Sequence, residues 1–121
     1  MELPVLYALT HPERVEDDGV PPFDPVKLSP MTYEPVDHER FPALRLGIGA
    51  GKAGGAAPAV FNAANESAVA AFLAGKVAFP EIARAIASAL DRLSGLAYGN
   101  REELLAADAA ARNHVRQMLK C

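Results

Sequence analysis

Across residues 41–121 apolar side chains return every three or four positions, and four such stripes predict four helices. The first starts at Pro42, where a missing N–H costs least. It carries Leu44 and Ile48 at helical spacing, then weakens into a frayed end and turn through Gly47, Gly49 and Gly51. The second starts near Pro58 and runs to about Ala74, with Phe61, Ala64, Ala68 and Phe72 on one face and Gly75 as its stop. The third starts at Pro80 and aligns Ile82, Ile86, Leu90 and Leu93. The fourth opens with Asn100 and Glu103 at capping-box spacing. Its stripe is Leu104, Ala111, Val115 and Met118, and Asp108 stands four residues before Arg112 as a helix-supporting ion pair. Short connections between such helices imply antiparallel neighbours, hence a four-helix bundle.

The first forty residues have a different texture. Leu3 to Leu9 predict a short helix that stops where Pro12 restricts His11. The run from Asp17 to Pro22 has no periodic apolar face and ends in two prolines, so it reads as extended chain. Met31-Thr32-Tyr33, bracketed by Pro30 and Pro35, predicts one short edge strand. A lone strand has nothing to pair with, which suggests that its partners lie outside this chain. Residues 1–40 hold seven of the ten prolines, with nine acidic and three basic side chains; residues 41–121 hold six acidic and nine basic ones. That shift predicts a boundary between Asp37 and Pro42. The expected fold is therefore mainly α: a linker over residues 1–37, proline-rich and extended with one short helix and one short strand, then a four-helix domain over residues 38–121.

Composition narrows the class further. At 121 residues there is room for a single modest core. Tryptophan is absent, and alanine supplies much of the apolar content, which suits closely packed helices better than a β-sandwich. A net charge of −3 without a basic stripe argues against a nucleic-acid or anionic-membrane partner. The first residues show no signal-peptide pattern. Cys121, the single cysteine, cannot form an internal disulfide, and this fits a reducing, cytoplasmic setting.

Few residues suggest chemistry. Gly49 to Gly54 satisfy G-x-G-x-x-G, and Leu44-Arg45-Leu46 imitates a preceding strand. A dinucleotide site also needs a second strand ending in an acid about 20 residues later, and a helix fills that interval. The phosphate-loop pattern fails as well, because Leu46 holds its first glycine position and Ala53 its Ser/Thr position. His11, His38 and His114 are dispersed, with no second ligand at metal spacing. Asp37-His38-Glu39 reads as a polar turn, and Glu102-Glu103 as acids suited to a helix start. Ser29, Ser67, Ser88 and Ser94 have no nucleophile-elbow context. Asn62, Asn65 and Glu66 cost helix propensity in an apolar helix, so they are expected to bond a neighbouring loop or helix. No catalytic and no metal-binding residue is assigned.

The segment Phe61-Asn62-Ala63-Ala64-Asn65-Glu66, followed by Val69 to Leu73, resembles the Asn-Ala-Ala-Asn-Glu block of the 1-deoxy-D-xylulose 5-phosphate reductoisomerases. Met1-Glu2-Leu3-Pro4-Val5 is similar to that family's Met-Arg-x-Pro-Ile, with Glu2 in place of a basic residue. Tyr7-Ala8-Leu9, Pro12 to Val15, Phe23-Asp24, Leu28, Phe41-Pro42 with Leu44, and Asp108 to Arg112 also resemble family blocks, in order along the chain. The resemblance implies a C-terminal helical domain, with its linker, of a larger enzyme. Such a parent rearranges 1-deoxy-D-xylulose 5-phosphate and reduces it with NADPH and a divalent metal, Mg or Mn, to 2-C-methyl-D-erythritol 4-phosphate in non-mevalonate isoprenoid synthesis. The family's dinucleotide domain, metal carboxylates and phosphate-binding residues have no matching position here, so this chain is expected to be inactive alone and to bind neither cofactor. One position carries over: Met1 matches a methionine near the nicotinamide. The implied partners are the remainder of the parent enzyme and further copies in a homo-oligomer. Two other readings stand beside this one: a free-standing helical protein-interaction module, and a small nucleotide binder on Gly49 to Gly54.

Overall fold

The computed structural model describes residues 2–19 and 23–120. The chain divides into two compact units, Met1–Pro35 and Val36–Cys121.

In the first unit one helix, α1 (Glu2–Thr10), buries none of its residues. Thr10 ends it, with its hydroxyl 3.0 Å from the carbonyl oxygens of both Leu6 and Glu13. Beyond it the chain turns on aspartates. Asp17 accepts from the Gly19 N–H at 2.7 Å, and Asp24 from those of Val26 and Lys27 at 3.0 and 3.3 Å. These side chains stand in for backbone acceptors, as Asp does in turns. Met31-Thr32-Tyr33 is not a strand, and no strand occurs among the described residues. The physical reason is the missing ladder: two or three extended residues persist only when another strand satisfies their N–H and C=O groups.

The second unit opens on an Asp37 turn. One carboxylate oxygen accepts from the Glu39 and Arg40 N–H groups at 3.0 and 2.9 Å, and the Asp37 carbonyl from the Phe41 N–H at 2.9 Å. Four helices follow: α2 (Pro42–Ala53), α3 (Ala57–Leu73), α4 (Phe79–Leu93) and α5 (Arg101–Leu119). Contrary to the expected fraying, α2 runs through Gly47, Gly49 and Gly51. Gly47 earns its place by proximity, since a Cβ there would lie 3.1 Å from the Phe61 ring. The turn comes later, at Gly54 and Gly55, where φ is +66° and +59°. The stop after α3 matches the expectation. Gly75 takes φ +70° and donates to Phe72 O at 2.9 Å, while Lys76 donates to Ala71 O at 3.0 Å, the paired bonds of a Schellman motif. At the start of α5, Asn100 accepts from the Glu103 N–H at 2.8 Å; Glu103 reaches back to the N–H of Gly99, at 2.7 Å, one residue beyond the usual capping box.

The packing departs from a symmetric bundle. α3 touches all three other helices and α4 touches α5, but α2 leans only on α3 and α4. The core is therefore a three-helix layer with α2 laid across one side. Of its twelve buried residues eight are alanine, and Ile86, Val60 and Val115 are the largest side chains fully enclosed. The alanine expected from the composition to pack between helices does form most of the core. Surrounded by helices, α3 buries a broad face of Ala57, Val60, Ala63, Ala64, Ala68 and Ala71. Of the stripe expected for it, Ala64 and Ala68 lie in the core, but Phe61 is only half-buried and Phe72 is exposed, edge-on to Phe79. On α5 the buried row is Ala107, Ala111 and Val115, and Leu119 continues it where Met118 had been expected.

Candidate functional site

Of Asn62, Asn65 and Glu66, only Glu66 reaches a neighbouring helix: it meets Arg112 between α3 and α5, whereas Asn62 bonds within α3 and Asn65, half-buried, has no side-chain hydrogen bond among the described residues. Asn62 donates to Glu66 within α3 at 3.1 Å, and the other Glu66 oxygen accepts from Arg112 of α5 at 2.7 Å. The same guanidinium holds Asp108 through two bonds, Nε to Oδ2 at 2.7 Å and Nη2 to Oδ1 at 3.1 Å. The expected Asp108–Arg112 pair thus forms, and Glu66 extends it across the helix interface. Arg112's hydrogen bond, then that of Asn62, holds the Glu66 carboxyl below the ordinary carboxylate range. Asp108 first and Glu66 second push the guanidinium further towards its charged form. This partly exposed network links α3 to α5.

A second polar contact escaped sequence reading. Ser88 Oγ of α4 and His114 Nε2 of α5 lie 2.8 Å apart, half-buried, from positions 26 residues apart. No acidic side chain bonds His114 among the described residues, so the arrangement lacks the orienting third group of a serine nucleophile. It ties α4 to α5. His11 packs edge-on to Tyr7 in the first unit, and His38 lies in the Asp37 turn. Glu103 is engaged in the α5 cap, and Glu102 lies exposed beside it. No group of three or more candidate metal ligands occurs among the described residues.

The glycine-rich segment is placed unfavourably for phosphate. Gly49, Gly51 and Lys52 lie in the last part of α2. A dinucleotide motif puts its glycines ahead of a helix N-terminus, where free N–H groups and the positive end of the dipole meet the anion. A helix C-terminus presents carbonyls and the opposite sign. Met1, the cofactor contact implied by resemblance, and Cys121 lie outside the described residues.

A groove of about 570 Å³ lies between the N-terminal halves of α2 and α4. Pro42 and Leu46 form one wall, and Phe79, Ile82 and Ala83 the other. Arg40, Arg45 and Arg84 stand at its rim; Arg84 is paired with Glu81, and Arg40 lies 5.6 Å over the Phe41 ring. Nothing in the local sequence signalled this groove, because its walls are brought together only by packing.

These features define an alanine-rich helical domain whose conspicuous polar residues cross-link helices. The family model of the DXP reductoisomerase C-terminal domain matches residues 1–114. The chain belongs to that family. It is 45% identical over 119 residues to the 1-deoxy-D-xylulose 5-phosphate reductoisomerase of Geobacillus sp. (strain WCH70), covering 98% of this chain and 31% of the relative. With the enzyme of Cyanothece sp. (strain PCC 7425) the identity is 47% over 117 residues, covering 95% of this chain and 30% of the relative. Among solved structures, the Zymomonas mobilis reductoisomerase in complex with NADPH superposes with a TM-score of 0.82 at 39% identity, over 98% of this chain and 31% of that one. A DOX-P reductoisomerase in complex with NADPH, fosmidomycin and magnesium gives 0.81 at 31% identity, again over 98% and 31%. The chain thus spans about a third of the length of the enzymes it matches.

Proposed function

We propose that this chain acts as the C-terminal structural domain, with its linker, of a cytoplasmic reductoisomerase that converts 1-deoxy-D-xylulose 5-phosphate to 2-C-methyl-D-erythritol 4-phosphate for isoprenoid synthesis. The observation that carries the reading is the match over nearly the whole chain, at 45–47% identity, to relatives that bear this activity in their name. NADPH and a divalent metal act in the parent, in keeping with the bound NADPH and magnesium of the solved relatives. Residues 1–37 are the linker and a remnant of the preceding catalytic domain, with Met1 beside the nicotinamide, and residues 38–121 are the four-helix domain. In the parent, Met31 to Tyr33 pairs as an edge strand on the preceding domain's sheet. The domain's task is to hold that linker against the rest of the enzyme and, through it, a further copy. No described helix is long and apolar enough to cross a membrane.

A chimaera tests this directly. Replacing the matching third of the Zymomonas mobilis enzyme by this chain is expected to give an enzyme that oxidises NADPH only with deoxyxylulose phosphate and magnesium present. A folded chimaera without turnover overturns the reading. The arginine-rimmed groove favours a second reading, a free-standing interaction module; that reading gains if the chimaera is inert while the chain alone captures a defined partner through the groove.

A further inference from the structure

We infer that α2 is a detachable strap, which opens as a unit while α3, α4 and α5 remain packed. Four observations converge on it. First, α2 leans on α3 and α4 alone, so its release leaves every contact of α5 intact. Second, of its twelve residues only Ala50 is buried, against six in α3. Third, two positive-φ glycines follow its C-terminus as a ready pivot. Fourth, it carries three glycines, and packing accounts for only one. Gly47 makes room for Phe61, but a Cβ at Gly49 or Gly51 would meet nothing within 4 Å. Each glycine in a helix lowers its closing constant roughly fivefold relative to alanine. Two positions thus weaken α2 with no steric need to do so.

Such an opening would be local, of the kind that separates weakly packed elements from the remaining core. It would also have a consequence at the surface. α2 supplies one wall of the groove through Pro42 and Leu46, so the groove exists only while α2 is closed. Anything seated there binds the closed form alone and shifts the population towards it. α2 follows directly on the Asp37 turn, so its opening also lengthens the tether leading back towards the linker.

Hydrogen exchange on the full chain, under conditions where closing outruns exchange, tests the inference with two matched variants. In the unaltered chain, α2 amides are expected to be at least roughly tenfold less protected than the central amides of α3 and α5. Gly49→Ala with Gly51→Ala should slow exchange in α2 by roughly 25-fold. Ala106→Gly with Ala109→Gly, at exposed sites of α5, should speed exchange in α3 and α5 by a comparable factor but α2 by no more than about threefold, because most α2 opening occurs without unfolding α5. Equal protection of α2 and α3 overturns the proposal. So does acceleration of α2 in step with α3 in the α5 variant, or a glycine double variant whose α2 exchanges as before. All four substitutions are at exposed positions, so loss of the fold does not obscure the outcome.

Discussion

Truncating Ile86 probes the central energetic feature of this domain, a core made mostly of alanine. Ile86 is fully buried on α4, in a cluster whose other members are mainly alanines of α3, α4 and α5. Ile86→Ala removes three carbons, about 2.4 kcal/mol of transfer free energy at about 0.8 per methylene. To this is added a cavity term that depends on how far the surroundings collapse. Alanine has no rotamer with which to swing into a void. The cavity should therefore persist, and the total should reach about 4 kcal/mol, in the upper half of the usual range of about 2–5. Ile86→Val, losing one methylene, should cost about 1 kcal/mol. For a domain of this size about 1 kcal/mol moves the midpoint by about 4–8 °C. Ile86→Val should thus melt about 4–8 °C below the parent chain, and Ile86→Ala about 15–30 °C below it. Urea titrations followed by circular dichroism supply the free energies and check that the slope is unchanged. An Ile86→Ala cost below about 2 kcal/mol, at constant slope, would show that the alanine surroundings relax, and the argument for a rigid small-residue core would fail.

Other expectations follow from single contacts. Asn100→Ala removes the α5 cap and should cost about 1 kcal/mol in thermal melts, whereas Asn100→Asp should keep most of it. Gly55→Ala forces a side chain into φ +59° and within 3.2 Å of the Tyr98 ring, so it should destabilise by about 1 kcal/mol or more, opposite in sign to Gly49→Ala. The Glu66 carboxyl has its pKa lowered in the folded state, so its contribution is present above the ordinary carboxylate range and lost as pH falls through the folded value. Arg112→Met should flatten that acid limb in melts between neutral and acidic pH; an unchanged pH profile would refute a role for the network. The purified chain should not oxidise NADPH with deoxyxylulose phosphate and magnesium, and turnover that survives removal of host enzyme would contradict this.

Much of the fold could be read in the sequence because helices declare themselves locally. Prolines near the starts of α2, α3 and α4, Gly75 after α3 and Asn100 before α5 each act within a few residues, and each is found near its expected place. What the pattern could not rank was alanine. It counts as weakly apolar in any periodic reading, so Phe61 and Phe72 were set on the buried face of α3 beside Ala64 and Ala68, while Val60, Ala63 and Ala71, which are buried there, were not singled out. The persistence of α2 through its glycines is likewise a tertiary effect, set by Ala50 in the core and by Phe61 resting on Gly47. The strand at Met31 failed for the converse reason, since its stability would come from a partner that these residues do not supply. Among polar residues, Asp108 and Arg112 could be paired from spacing alone. Their link to Glu66 and the Ser88–His114 contact join positions far apart in the chain, where no periodicity reaches.

The two units differ most in what they bury. The helices from α2 to α5 enclose a continuous core, whereas α1 encloses nothing, and Leu9, Val26 and Tyr33 of the first unit are more than four-fifths exposed. Ordering each residue costs about 1–2 kcal/mol of backbone entropy, and the aspartate turns and one α1 helix offset only a fraction of it. A lone nine-residue helix is itself shorter than the roughly 12–15 residues at which isolated helices become marginal in water. The apolar side chains of this unit, spaced along α1 and through Phe23, Val26, Met31 and Tyr33, are therefore suited to a surface outside it. In the proposed parent that surface belongs to the remaining two thirds of the enzyme. The helical unit is stabilised by its own core; on the function proposed above, the first unit would become ordered through contacts with the rest of the parent enzyme.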